Sequence, residues 1–185
     1  METTLTKVKW NIDKAHSEIG FKVKHLMITN VKGSFGEFDA SIYTTGEDFL
    51  SAEVDIWIDP SSVNTRNEQR DKHLRSVDFF DAEQYKEIHF TGNTITKTGD
   101  DRYELYGELE MKGIKKQVKL KVEYGGVVKD PWGGNRAGFT VTAKINRKDW
   151  GLNWNTTLEA GGLMVSDEVR IICEMQLTKE AEPGS

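Results

Sequence analysis

Glu168 to Leu177 carries an apolar side chain at every second position: Val169, Ile171, Cys173, Met175 and Leu177. A period of two marks a strand with one buried face. The pattern recurs along the chain. In His16–Leu26, Ile19, Phe21, Val23 and His25 share a face opposite Glu18, Lys22 and Lys24. Val31–Tyr43 begins with Val31, Gly33 and Phe35 in phase, then changes parity to Phe38, Ala40 and Ile42. That switch predicts a bulge or sharp bend at Gly36. Leu50–Ile58 turns Leu50, Ala52, Val54, Ile56 and Ile58 inward. Glu87–Thr96 turns in Ile88 and Phe90, and Arg102–Met111 turns in Tyr103, Leu105, Leu109 and Met111. Gln117–Tyr124 follows with Val118, Leu120, Val122 and Tyr124, and Ala137–Ile145 with Phe139, Val141, Ala143 and Ile145.

These are eight strands joined mostly by short turns. Lys112-Gly113 and the loop Asp130–Gly134 are two of them. No βαβ rhythm intervenes, which favours an antiparallel meander. Eight long strands with alternating faces close most economically into a barrel. A ten-residue strand rises roughly 34 Å, so at a tilt of about 40° the barrel stands about 25 Å tall. Outward Glu104, Glu108 and Glu110 face outward Lys119 and Lys121, suitable cross-strand pairs. Arg147–Ala160 has no periodicity and is expected to wrap a barrel end. The expectation is an all-β single domain over residues 1–180 with a frayed tail at 181–185.

One stretch breaks the pattern. Asn64–Phe80 gives the only good helix signal, at about residues 65–76. Thr65 is placed to cap it and Glu68 to complete a capping box. Glu68 and Lys72 stand i,i+4 in the favourable order. Arg70, His73, Leu74 and Val77 fall on one face, which is too polar for a core helix. The segment reads either as a lid or plug or as a solvated surface helix.

Of 185 residues 30% are charged and 37% hydrophobic, which suits strands with one wet face. The net charge is −5, with acidic and basic residues interleaved, so no basic stripe offers itself to nucleic acid. The first residues, METTLTKVKWNID, lack an apolar leader core, and the expected location is the cytoplasm.

Cys173 is the single cysteine and alternates inward, as a buried, inert thiol would. His16, His25, His73 and His89 stand in no metal-ligand spacing, so neither metal nor cofactor is expected. His25 and His89 read as structural. His16, after Asp13, and His73, beside Asp71, are placed to meet at one barrel mouth. Ser17 or Ser76 would complete a Ser–His–Asp set, but no nucleophile-elbow motif accompanies them. Outward Trp57, Tyr106 and Ile172 would form a homodimer patch if they are neighbours. The inward faces are nearly all apolar. An eight-stranded barrel sits at the size where its interior either just fills or holds one small ligand.

Several segments carry a resemblance. Ile12-Asp13-Lys-Ala-His16-Ser17 is followed by Ile19-Gly-Phe21-Lys-Val23-Lys-His25 and by Val31-Lys-Gly33-Ser-Phe35-Gly36. Arg70-Asp71-Lys-His73-Leu74 lies within the helical insert. Gly107-Glu-Leu109, Lys112-Gly113, Arg136-Ala137-Gly-Phe139, Asn146-Arg147-Lys-Asp149-Trp150-Gly151 and Val165-Ser-Asp167-Glu168-Val169 complete it. In this order they resemble the YceI-like family. That resemblance implies an extended lipocalin-like barrel that binds a polyisoprenoid or similar long-chain amphiphile. Relatives often carry a leader and often form dimers, and an aromatic, often Phe, is usual where Trp150 stands.

The resemblance favours a hollow barrel with transient membrane contact. The expected lining is Phe21, Val23, Phe35, Phe38, Ile42, Val54, Ile56, Phe90, Leu105, Leu109, Leu120, Val122, Phe139, Val141, Ile171 and Met175. His16, Arg70, Asp71 and His73, with Arg136 and Arg147, are expected at a polar mouth. The competing reading is a structural network in which Arg70 and Asp71 satisfy each other, and the sequence leaves both open. Two rival functions also stand. One is an enzyme acting on such a lipid through His16 or His73; the other is a ligand-free structural or stress-related barrel.

Overall fold

The computed structural model describes residues 6–26, 28–132, 134–156 and 164–180. Its strands are β1 (Lys7–Ile12), β2 (Glu18–His25), β3 (Thr29–Phe35), β4 (Phe38–Thr45), β5 (Asp48–Ile58) and β6 (Val63–Asn64), then, after helix α1 (Glu68–Arg75), β7 (Ile88–Gly99), β8 (Arg102–Met111), β9 (Ile114–Lys129), β10 (Asn135–Asn146) and β11 (Val165–Lys179). Every pairing is antiparallel. The ring β1-β4-β5-β7-β8-β9-β10-β11 closes through Trp10↔Lys179 and Ile12↔Leu177. It is the eight-stranded antiparallel barrel that the alternation predicts.

Three of the eight courses are interrupted. β1 and β2 both lie along β11, separated by a single turn of 3₁₀ helix at Lys14–His16. β5 and β6 are separated by a second such turn at Pro60–Ser62. An aspartate caps each turn: Asp13 accepts from Ala15 N at 3.1 Å and Asp59 from Ser61 N at 2.9 Å. At the third break, Gly36, the structure corrects the expected bulge. β3 ends at Phe35 and pairs with β2 and β6, whereas β4 starts at Phe38 and pairs with β1 and β5. The parity change is a handover between neighbours, fixed by Gly36 N donating to Ser62 O at 3.1 Å.

The first strand escaped the sequence reading. Val8, Trp10 and Ile12 alternate in KVKWNI. Trp10 is only 1% exposed, and its indole N–H donates to Thr44 Oγ1 at 3.0 Å. Beside it, β5 departs from its expected phase. Leu50 is 45% exposed, while Phe49 packs 5.0 Å from the Trp10 ring. A register shift between Tyr43 and Thr45, where Thr45 N donates to Ser51 Oγ at 2.7 Å, turns Phe49 inward.

Two aromatic rings lie against glycines inside the wall. A Cβ on Gly33 would overlap the Phe21 ring, and one on Gly107 would overlap Phe90. Outside, Lys119 approaches Glu104 at 3.8 Å and Lys115 approaches Glu110 at 4.0 Å, pairs of small worth in water.

Helix α1 starts later than expected. Asn67 is the cap and accepts from Arg70 N at 3.0 Å, so Thr65 and Glu68 form no capping box. Glu68 and Asp71 near its start and Lys72, His73 and Arg75 near its end suit the helix dipole. The helix stops at Arg75, which leaves Val77 off the expected face and 71% exposed. Of the aperiodic Arg147–Ala160 stretch, Arg147–Trp150 forms a 3₁₀ turn closed by Gly151 at φ 76°. Residues 157–160 and the expected tail at 181–185 lie outside the described residues.

Candidate functional site

Among the described residues, two cavities of about 470 and 390 Å³ lie in the barrel interior. The larger lies at the α1 end, where Phe21, Val23 and Phe35 form its walls and Gln69, Arg70, His73 and Leu74 of α1 form its cover. The smaller lies toward the β4–β5 and β7–β8 turns. Ile42, Val54, Ile56, Phe90, Leu105, Leu120, Val122, Phe139, Val141 and Met175 line it. Leu109 and Ile171 border both, together with Ile19 and Ile58. Strand alternation therefore places the expected lining, with one exception. Phe38 is buried at 8% exposure but borders neither cavity, because it begins β4 beside the Gly36 break.

The polar residues at the α1 end are tied into the frame. Asp71 accepts from the amide and the hydroxyl of Thr65 at 2.8 and 2.6 Å. Arg70 donates from Nε to Thr65 Oγ1 and from Nη2 to Thr65 O, both at 2.8 Å. His73 Nε2 lies 2.9 Å from Asp78 Oδ2, with the ring edge-on to Phe79 and Trp154 at 5.1 and 4.6 Å. Arg147 is 3% exposed and lines the same cavity. Its guanidinium donates to the carbonyls of Leu152, Trp154, Val165 and Ser166. Burial lowers its pKa from the usual arginine value, opposed by Asp167. Among the described residues Asp167 Oδ1 accepts no hydrogen bond, and it stands 3.9 Å from Arg147 and 3.4 Å from Lys148.

His16 and Arg136 are elsewhere. His16 Nδ1 lies 2.8 Å from Asp13, which also pairs with Arg136 at 2.5 Å, and Arg136 reaches Asp130 at 3.1 Å. Neither residue borders the two interior cavities. Burial works to raise the Asp13 pKa, but the hydrogen bonds from His16 and Arg136 outweigh it and leave it low. The expected meeting of His16 with His73 does not occur. The turn holding His16 is fixed where Asp13 N donates to Gln176 O, whereas His73 packs on Trp154 near Val165. Those two β11 positions are roughly 35 Å apart along the strand.

The hydroxyls considered for catalysis also serve the backbone. Ser17 Oγ accepts from Gln176 N at 2.9 Å and Ser76 Oγ donates to His73 O at 2.6 Å, and neither bonds a histidine ring. His89 stacks on Trp57 outside the barrel, 3.2 Å from Asp55, while His25 borders the larger cavity. Cys173 is buried and its thiol is pushed up to about 11 by desolvation. Trp57, Tyr106 and Ile172 form no joint patch. β7 separates the first two, and β9 and β10 separate Tyr106 from Ile172. The sequence reading missed Phe79, Leu152 and Trp154 at the larger cavity; the Phe79-Phe80 pair ending the insert was the available signal.

Residues 10–177 match the YceI-like domain. The UPF0312 protein SA2479 of Staphylococcus aureus (strain N315) is 40% identical over 162 residues, covering 87% of this chain and 92% of its own. The Campylobacter jejuni YCEI protein superposes with a TM-score of 0.72 at 34% identity, over 98% of this chain and 99% of its own. A polyisoprenoid binding domain from Saccharophagus degradans shares the fold, with a TM-score of 0.63 at 16% identity over 94% of this chain and 98% of its own.

Proposed function

The chain belongs to the YceI-like family, and from that premise and its hollow interior we propose that it is a non-catalytic carrier of a polyisoprenoid or similar long-chain amphiphile. The observation that carries this reading is the pair of apolar cavities stacked along the barrel, about 470 and 390 Å³. Each is within the range usual for small-molecule sites, and both walls are nearly all aliphatic and aromatic. The name of the Saccharophagus degradans domain points the same way.

The energetics favour carriage over tight capture. Burying a five-carbon isoprene unit from water is worth roughly 4 kcal/mol at about 0.8 kcal/mol per methylene. About five units would reach the strongest affinities known, so tail burial alone cannot set specificity. A tail drawn from a bilayer leaves one apolar medium for another and gains little. Loading then takes a passing contact with a membrane, and release costs equally little.

Two observations favour binding over catalysis. His16 and His73 are held apart, and the Ser17 and Ser76 hydroxyls are engaged with backbone groups. Native mass spectrometry of freshly purified protein tests the reading. Added mass that extracts into organic solvent and resolves as long-chain lipid is the expected result. Clean ligand-free mass from several expression hosts, with no lipid drawn from vesicles, would sink it.

A further inference from the structure

The four side chains common to both cavities come from four strands: Ile19 of β2, Ile58 of β5, Leu109 of β8 and Ile171 of β11. The ladders bring them together in two pairs. Ile19 pairs with Cys173, two residues from Ile171, and Ile58 pairs with Ile88, two residues from Phe90, the partner of Leu109. All four are branched hydrocarbons, and three branch at Cβ, which restricts χ1. They offer a chain no hydrogen bond. What they offer is apolar bulk where the two voids adjoin.

The voids set a length scale. A water-sized group takes about 30 Å³, so the larger cavity admits on the order of fifteen such groups, or about three isoprene units. The smaller is of similar capacity. Its far end differs in chemistry, with Glu47, Asp48, Lys97, Tyr103 and Tyr124 in place of the α1 cover.

We propose that Ile19, Ile58, Leu109 and Ile171 form a diaphragm that divides the interior into two sites and sets the length of chain the protein carries. This rests on the lipid-carrier reading. A chain of about three isoprene units fills one cavity and leaves the diaphragm shut. A longer chain must part these four side chains to reach the second cavity. Their bulk, more than the height of the barrel, then decides which chain lengths are retained.

The test is a competition. The full chain is incubated with equimolar farnesol (three isoprene units) and a prenol of nine units, freed of excess by gel filtration, extracted, and the bound ratio read by mass spectrometry. Ile171→Ala opens the diaphragm and should raise the long-to-short ratio about tenfold, the low end of what a single methylene is worth in a fitted pocket. Ile171→Phe narrows it and should lower the ratio by a similar factor. Ile172→Ala, on the outer face of the same strand and bordering neither cavity, should leave the ratio within twofold. Circular dichroism and thermal melting confirm folding, and Ile58→Ala replaces any variant that fails to fold. An unchanged ratio in folded Ala and Phe variants overturns the diaphragm and leaves the carrier intact. Failure of the wild type to hold either prenol overturns the carrier reading, and the diaphragm falls with it.

Discussion

Asp71 accepts both the backbone amide and the hydroxyl of Thr65 through a single carboxylate oxygen, at 2.8 and 2.6 Å, and both residues are buried. The Thr65 hydroxyl in turn accepts from Arg70 at 2.8 Å. A cation, a hydroxyl and an anion thus run in series and fasten α1 to the strand before it. The helix covers the larger cavity because of this link, since its own eight residues are too few to be stable alone.

Asp71→Ala should therefore cost about 1–3 kcal/mol, because it strands a buried amide and hydroxyl. Glu68→Gln, on the exposed side, should change stability by less than about 0.5 kcal/mol. Urea unfolding followed by tryptophan fluorescence measures both. Equal midpoints for the two variants would contradict the anchoring role.

Arg147 gathers four carbonyls from two separate stretches, Leu152–Trp154 and Val165–Ser166. Arg147→Met should cost about 3 kcal/mol or more, as several buried acceptors lose their donor together. Arg147→Lys should restore little, because an ammonium on a flexible stem cannot reproduce a planar fork. Recovery of the wild-type midpoint by lysine would show that charge alone matters there.

Trp10 closes the barrel between β4 and β11. Trp10→Ala should cost about 3–5 kcal/mol from the cavity it leaves. Trp10→Phe keeps most of the packing and loses only the hydrogen bond to Thr44, about 1 kcal/mol. Calorimetric melting should rank the three proteins in that order.

Arg136 sits between Asp13 and Asp130, both of which titrate below the ordinary 3.8. A depressed carboxylate pKa contributes stability that is present above pH 4 and lost as pH falls through the folded value. Arg136→Gln should be less stable than wild type at pH 7 and should lose less on acidification, so that the two converge once both carboxylates are protonated. Melting temperatures from pH 7 to 2 check this. Parallel curves would mean the pairing contributes nothing.

Cys173 is buried with its thiol raised to about 11. Ellman's reagent at pH 8 should leave the folded chain unreacted over an hour and titrate one thiol in guanidinium. Rapid reaction of the folded protein would place Cys173 at an accessible surface.

The barrel and most of its lining were legible in the sequence because strand alternation is local. Once Val169, Ile171, Cys173, Met175 and Leu177 share a face, any closed antiparallel sheet must turn them inward. The same rule read Phe139, Val141, Leu120 and Val122 correctly. It would have read Val8, Trp10 and Ile12 as well, for they alternate too.

What the alternation could not supply is relation between distant residues. His16 and His73 each follow a nearby aspartate, and only the path of β11 separates them by most of its length. Thr65 has the chemistry of a cap, yet Asn67 takes that place and leaves Thr65 free to donate to Asp71. Ile19, Ile58, Leu109 and Ile171 are four ordinary inward residues in the sequence. They border both cavities because four strands carry them to the junction of the two. Periodicity fixes which way a side chain points; the register of the closed sheet fixes what it meets.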